Sequence, residues 1–227
     1  LKESDAGSVE LKTMLRGICE KKTFLDLLEN FILYDHSGGR TTKILARNHQ
    51  YLGVNEAVSA YENRKLKDGR LGVFWHTQGS GKSYSMVFLA QKIRRKFAGS
   101  PTIVVLTDRD ELNRQISDTF ENCGLLGKTK ASQFIASNGT DLVKKLRGNP
   151  SFVFTLIQKF NLPKEPPIYP DHDILILSDE AHRSQYGIFA DNMMHLLPTA
   201  SRIGFTGTPL LADDHITERT LGGYQSV

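Results

Sequence analysis

A glycine-rich stretch between two apolar runs has the composition of an anion-binding loop. It lies within the sequence GVFWHTQGSGKSYS, from Gly72 to Ser85. The apolar run 71–75 comes before the glycines, and a helical pattern at 82–97 follows them. Glycines at 79 and 81 let backbone N–H groups turn towards an anion, and the start of a helix adds its dipole. The stretch is therefore typical of a loop that binds the phosphates of a nucleoside triphosphate.

Residues of this loop have separate expected roles. Lys82 can reach the β and γ phosphates, and the Ser83 hydroxyl can ligate Mg²⁺. The other predicted binding residues are Thr77, Gln78, Gly79, Ser80 and Gly81. The usual pattern G-x-x-x-x-G-K-[ST] begins with glycine where this chain has His76, so the motif is looser than the strict form. A plain glycine-rich turn between a strand and a helix is the alternative.

An acidic pair, Asp179 and Glu180, follows the apolar run 173–178. An aspartate there can hold Mg²⁺ through its water shell, and the glutamate can orient and deprotonate an attacking water. His182 is placed to sense the γ phosphate or to contact another motif. A helix N-cap followed by a solvated acid is the alternative, but a phosphate loop in the same chain favours catalysis. The predicted catalytic residues are Glu180, Lys82, Asp179 and His182.

Two threonines mark the end of the next apolar run, 202–206. Thr206 closes that run and Thr208 lies in the following GTP sequence. Their hydroxyl groups could couple a nucleotide site to movement, whereas a plain Gly-Pro turn is the alternative.

Short apolar runs that alternate with helical patterns indicate the fold. The runs lie at 71–75, 102–106, 152–157, 173–178 and 202–206. Strands that are apolar throughout and separated by helices predict an α/β fold with a parallel sheet buried on both faces. Ligands of such sheets bind beyond the carboxyl ends of the strands, where both motifs above would lie.

The first part of the chain has a different pattern. Residues 9–35 are predicted to be helical, 35–42 to form a turn or linker, and a second helix to run from about Asn48 to Leu66. The chain begins with Leu1, and its opening residues read like the interior of a longer sequence.

Composition sets broader limits. A net charge of +4 and a pI near 9.0 raise the expectation of nucleic-acid binding only slightly. Cys19 and Cys123 lie far apart without a metal-binding spacing, which favours reduced, partly buried thiols in a cytoplasmic protein. No apolar run approaches the roughly 20 residues of a membrane span.

The motifs HTQGSGKS, DEAH and TGTP, in this order and spacing, resemble those of superfamily 2 helicase and translocase motors. The flanking sequences are similar to the motor subunit of type I restriction enzymes over nearly the whole chain. They are ARNHQYLGVNEAV, LTDRDELNRQI, TLIQKF, DEAHRSQYG and IGFTGTPL. The resemblance implies a P-loop NTPase with a RecA-like parallel sheet flanked by helices and with an N-terminal helical lead-in.

The resemblance also implies roles for individual residues. Arg47 and Gln50 would read adenine, since a glutamine amide can pair with both its donor and its acceptor edge. A surface polar pair that starts a helix is the alternative. Arg109, Gln158 and Lys159 would contact the DNA backbone, which provides affinity and not sequence preference. For these three residues a solvated loop is the alternative.

In the family, residues matching 1–40 join a nuclease domain to the motor, and 41–227 match the first RecA-like lobe. Pro170 and Asp171 lack a (D/E)xK partner and are rejected as a nuclease site. A second lobe with an arginine finger is expected beyond residue 227.

The implied function is ATP- and Mg²⁺-dependent translocation along double-stranded DNA that drives restriction cleavage, with modification methyltransferase and specificity subunits as partners and no membrane. Alternatives are a repair or remodelling translocase of the same superfamily, or a nucleotide-dependent DNA-binding switch without turnover.

Overall fold

Six parallel strands form the central sheet of the protein. The structure is a computed structural model that describes residues 15–75, 77, 79–162, 164–169, 172–179, 187–207, 221 and 224–225. The strands of the sheet are β3 (Arg70–Trp75), β4 (Thr102–Thr107), β5 (Phe152–Leu156), β6 (Ile174–Asp179), β7 (Ser201–Thr206) and β8 (Tyr224–Gln225). A separate antiparallel pair is formed by β1 (Ile32–Asp35) and β2 (Thr42–Leu45).

Helices connect the strands and cover the sheet. They are α1 (Lys21–Asn30), α2 (Asn48–Glu62), α3 (Lys82–Lys96), α4 (Asp110–Asn122), α5 (Ala131–Phe134), α6 (Gly139–Arg147) and α7 (Gly187–Leu196). Short 3₁₀ turns lie at Ser37–Gly39, Arg64–Lys67 and Ile157–Phe160.

The order of the strands places β7 between the two strands that lead into the predicted site. The order is β5-β4-β6-β7-β3-β8, so β3, which precedes the glycine-rich loop, and β6, which ends in Asp179, are not neighbours. Trp75 lies opposite Thr206, and Asp179 lies opposite Phe205. The ends of all three strands therefore meet at one edge of the sheet, as the sequence predicts.

Both faces of the sheet are buried. Successive residues of a strand point to opposite faces, so neighbouring residues of one strand belong to different core clusters. In β4, Ile103 and Val105 belong to one core cluster, which also contains Phe88 of α3. Val104 and Leu106 belong to a second cluster on the other face. The α/β fold with a parallel sheet is confirmed.

The helical prediction for residues 9–35 is confirmed only in part, because a turn at 19–20 precedes α1, α1 ends at Asn30, and β1 begins at Ile32 and pairs with β2. Residues 9–14 lie outside the described ranges. Leu33 and Asp35 are buried while Tyr34 is exposed, which is the alternation of a strand and not of a helix. The predicted turn at 35–42 is confirmed as the turn of this hairpin. The division of the chain at residue 40 stays a prediction, and that position lies within the hairpin turn.

Smaller differences concern a helix end and the cysteines. The helix predicted from Asn48 to Leu66 ends at Glu62 and is followed by a 3₁₀ turn. Cys19 is exposed, contrary to prediction, whereas Cys123 is partly buried. Burial, followed by the charge of Asp35, raises the pKa of the Cys123 thiol to about 12. Within the described ranges, no helix has both the length and the apolar character needed to cross a membrane.

Candidate nucleotide-binding site

The glycine-rich loop has the backbone conformation that its sequence predicts. Gly79 and Gly81 have φ angles of +76° and +94°, in the left-handed region that favours glycine. A Cβ atom on Gly81 would lie 2.9 Å from Gln50 Nε2, so a larger residue would displace the Gln50 amide as well as strain the backbone. The Ser80 amide donates a 3.0 Å hydrogen bond to the Thr77 carbonyl, which closes the turn. His76 and Gln78 lie outside the described residues.

Lys82, the first residue of α3, forms an ion pair with the aspartate at the end of β6. Its Nζ atom lies 2.7 Å from Asp179 Oδ1. The Asp179 side chain is only 2% exposed, whereas that of Lys82 is 21% exposed. The lysine thus reaches past β7 to neutralise a buried carboxylate, which would be costly to bury without a cation.

The ion pair includes, and adjoins in sequence, side chains suited to Mg²⁺. Asp179 supplies a carboxylate, and Ser83, which follows Lys82 in α3 and is partly buried, supplies a hydroxyl group. Hydroxyl and carboxylate oxygens are the ligands that Mg²⁺ prefers, usually together with substrate phosphates and water. The residues therefore fit a magnesium–nucleotide site. Thr206 is fully buried at the end of β7, between the two strands that carry these groups.

Gln50 links the start of α2 to the loop. Its Nε2 atom donates to the Gly81 carbonyl at 3.0 Å and to Ser85 Oγ at 3.2 Å. Its Oε1 atom accepts from the Arg47 amide at 2.8 Å, which caps the helix. Gln50 is 3% exposed, so it is not the surface residue of the alternative interpretation, although it does cap a helix as that alternative supposes. Arg47 itself is exposed.

A contact that the sequence analysis missed joins α3 to the hairpin. Tyr84 Oη donates a 2.6 Å hydrogen bond to Asp35 Oδ2, and the Ser37 amide donates to Asp35 Oδ1 at 2.8 Å. The bond to Asp35, with burial second, raises the pKa of Tyr84 to about 12. Burial alone would raise the pKa of Asp35, but the hydrogen bonds from Tyr84 and Ser37 outweigh it and lower the pKa. A charged residue at an inward position of an apolar strand is the sequence signal that could have identified it.

The predicted DNA contacts lie at the ends of β4 and β5, which are neighbours in the sheet. The Arg109 side chain is 58% exposed, and its Nε atom is 3.5 Å from Asp108 Oδ2. Gln158 Nε2 donates to the Asp108 carbonyl at 3.0 Å, so the structure brings the two loops together. Lys159 Nζ instead donates to the Ala136 carbonyl at 2.5 Å. Contact of these three predicted residues with DNA stays a prediction.

Three other predicted site residues, Glu180, His182 and Thr208, lie outside the described residues. Their roles in catalysis and coupling stay predictions. So do the remarks on Pro170 and Asp171, which are outside the described ranges as well.

Solved structures with this arrangement of strands and loop include helicases. The UvsW helicase from bacteriophage T4 superposes with a TM-score of 0.62 at 19% identity, over 91% of this chain and 67% of that chain. A nuclease-deletion mutant of the type ISP restriction-modification enzyme LlaGI, in complex with a DNA substrate mimic, gives a TM-score of 0.56 at 18% identity. That match covers 79% of this chain and 19% of the LlaGI chain. These likenesses confirm the RecA-like fold.

The fold and the loop define a P-loop ATPase domain. The family model of the SWI2/SNF2 ATPase matches residues 49–227, and the chain belongs to this family.

Curated relatives narrow the resemblance. The type I restriction enzyme HindI endonuclease subunit of Haemophilus influenzae is 40% identical over 240 residues, which cover 96% of this chain and 23% of that subunit. The putative type I restriction enzyme MjaIXP endonuclease subunit of Methanocaldococcus jannaschii is 35% identical, over 95% of this chain and 21% of its own length. The predicted resemblance to these subunits is confirmed, and the chain spans less than a quarter of either relative.

Proposed function

We propose that this chain is the ATP-binding lobe of an ATP-dependent double-stranded DNA translocase that drives cleavage by a type I restriction endonuclease. The observation that carries the proposal is the ion pair of Lys82 with the buried Asp179 at the end of the glycine-rich loop. The pair consists of a cation suited to phosphates and a carboxylate suited to a metal ion, which supports the proposal. The similarity to type I endonuclease subunits supports the DNA-directed part of the proposal.

The ion pair implies an exchange of partners when nucleotide binds. Lys82 is tied to Asp179 before binding and turns its ammonium group to the β and γ phosphates afterwards. Bound Mg²⁺, near Ser83 and Asp179, would supply the positive charge that the carboxylate otherwise takes from the lysine. Glu180 then holds the attacking water and accepts its proton.

Adenine recognition by Gln50 is compatible with the contacts that it makes. Both N–H bonds of its amide are used by Gly81 and Ser85, while Oε1 accepts one hydrogen bond from the described residues, that of the Arg47 amide. An amide oxygen has two lone pairs, so Oε1 can also accept from the N6 amino group of adenine. Guanine presents a carbonyl oxygen at that position and would be rejected. Arg47, which is exposed, can contact the base from the solvent side.

The proposal that this lobe acts on DNA rests on the loops that follow the carboxyl ends of β4 and β5. Arg109 extends into solvent there and can contact a phosphate, and Gln158 lies close by through its bond to the Asp108 carbonyl. Lys159, the next residue after Gln158, is proposed as the third contact. Thr206 ends β7, between the strands that lead to Lys82 and Asp179, and we assign to it and to Thr208 the coupling of nucleotide binding to movement. We place the protein in the cytoplasm, in a complex with modification methyltransferase and specificity subunits.

The proposal is tested in a two-lobed protein that carries this lobe, by displacement of a third strand from duplex DNA. We expect ATP-dependent displacement by the wild type and none by Glu180→Gln. That variant should still bind ATP, because it loses only the carboxylate that acts as general base. This lobe alone should turn ATP over hardly at all, because a missing arginine finger costs on the order of 10³–10⁵ in rate. Displacement without ATP, or undiminished displacement by Glu180→Gln, would contradict the proposal.

A further inference from the structure

We infer that Asp35, through its hydrogen bond with Tyr84, is a positioning residue for the phosphate-binding loop, which makes the β1–β2 hairpin part of the nucleotide site. The inference rests on the proposed ATP-binding function, and goes beyond it by assigning a role to a segment upstream of every nucleotide motif in the chain.

Tyr84 is placed to control the loop directly. It is the third residue of α3, next to Ser83 and two residues after Lys82. A Cβ atom at Gly81 would lie 3.9 Å from Tyr84 Cδ2, so the tyrosine ring lies against the loop. The N–H groups that would bind phosphate are those of this first helical turn. A group that fixes Tyr84 therefore fixes the direction of these N–H groups.

Asp35 is itself held firmly. Its side chain is buried, and the Ser37 amide and Tyr84 Oη each donate to a different carboxylate oxygen. The other inward position of β1 is the apolar Leu33, which packs in the main core. A buried carboxylate costs more than an apolar residue would, unless its charge-assisted hydrogen bonds offset the loss of water. Stability alone does not require an aspartate at this position.

The hairpin has a second attachment, to the end of α4. The His36 amide donates to the Asn122 carbonyl at 3.1 Å there. That helix begins directly after Arg109, one of the predicted DNA contacts. The hairpin is therefore hydrogen-bonded to both α3 and α4, and the bond to α4 restricts the movement of the segment that holds Tyr84.

The test measures the affinity of this chain for Mg·ATP by calorimetry, well below the melting temperature of each variant. Tyr84→Phe removes the donor and should weaken binding roughly 10- to 150-fold, the range of a hydrogen bond to a charged group. Asp35→Asn keeps a neutral hydrogen bond and should lose less. Tyr34→Phe is the matched control, because it removes the same hydroxyl group from an exposed position of the same hairpin. It should bind as the wild type does.

The double variant separates positioning from general stability. In the Tyr84→Phe background, Asp35→Asn should weaken binding no further, since both act through one hydrogen bond. A purely structural role would lower the melting temperature without this non-additivity in affinity. Wild-type affinity in Tyr84→Phe, or additive losses, would overturn the inference while the proposed function stands. Absence of saturable ATP binding by the wild type would overturn both. If Tyr84→Phe does not fold, unchanged affinity in Asp35→Asn would overturn the inference, and a loss would support it.

Discussion

Lys82 and Asp179 meet across an intervening strand, with 2.7 Å between the ammonium nitrogen and the buried carboxylate oxygen. The lysine follows β3 and the aspartate ends β6, so neither sequence distance nor strand pairing alone brings them together. The pair forms at the carboxyl ends of these strands, where the lysine side chain spans the position of β7. Its two members would each take a different partner from a magnesium–nucleotide complex.

The first prediction concerns the magnesium dependence of ATP binding. In the wild type, added Mg²⁺ should strengthen ATP binding, because it supplies the charge that Asp179 needs when Lys82 turns to the phosphates. The Asp179→Asn variant has no charge at this position for Mg²⁺ to neutralise. Its affinity for ATP should therefore be nearly the same in excess Mg²⁺ and in the presence of a chelator. Calorimetric titration under both conditions measures the difference.

The matched control is Asp173→Asn. Asp173 lies just before the other end of β6 and is paired with Arg64 at 2.6 Å, away from the loop. This variant should keep the magnesium dependence of the wild type. Equal dependence in Asp179→Asn would argue that its carboxylate has no part in metal binding.

A second prediction tests the base preference at Gln50. Gln50→Ala should weaken ATP binding far more than GTP binding, because the acceptor for the adenine amino group is lost. An unsatisfied buried pair typically costs about 1–3 kcal/mol, or roughly 5- to 150-fold in affinity. Affinities for both nucleotides are compared in a two-lobed protein.

Gln50→Ala should also lower the melting temperature, because Gly81, Ser85 and Arg47 each lose a hydrogen bond. Gln91→Ala, on the face of α3 that meets Asn30, is the control for loss of a side-chain amide. A lower melting temperature with an unchanged ATP-to-GTP ratio would leave Gln50 as a helix cap that supports the loop.

The third prediction concerns the reactivity of the cysteines. With its pKa raised to about 12, Cys123 is protonated at any pH below that value and presents little reactive thiolate. Iodoacetamide at about pH 8 should therefore modify the exposed Cys19 well before Cys123. Peptide mass spectrometry over time gives both rates. Faster modification of Cys123 would mean that the hairpin and α4 do not shield it.

The parallel sheet could be predicted because its strands have no polar face. Val104 and Leu106 are as apolar as Ile103 and Val105, and only burial on both sides explains that pattern. The meeting of the loop with Asp179 then followed from the rule that strand ends share one edge. Contacts made away from the strand ends, such as those of the hairpin, could not be predicted in this way.

The hairpin shows why. The run from Phe24 to Ile32 has apolar residues at helical spacing, and the change to a period of two at Leu33 and Asp35 spans too few residues to identify. Asp35 is 49 residues from Tyr84, and no motif spacing links them. The contacts of Gln50 with Gly81 and Ser85 depend in the same way on how α2 packs beside α3.

The central claim, that this chain binds ATP through the loop at Lys82, is tested most directly by titrating Mg·ATP into the chain. Calorimetry measures the affinity, and Trp75, the single tryptophan of the chain, lies directly before the loop and serves as a fluorescence reporter. The variants are Lys82→Ala and the control Lys96→Ala. Lys96 lies at the other end of α3, and its Nζ atom is 3.0 Å from Glu62 Oε2. Lys82→Ala leaves Asp179 buried without its cation, a loss that reaches about 3–5 kcal/mol for fully buried pairs. The double variant Lys82→Ala/Asp179→Asn removes both charges and should restore stability.

The account predicts saturable binding of Mg·ATP by the wild type and by Lys96→Ala. In Lys82→Ala and in the folded double variant, the affinity should fall at least tenfold, which corresponds to about 1.4 kcal/mol or more. Affinity equal to that of the wild type in the double variant, or no binding by the wild type, would contradict it.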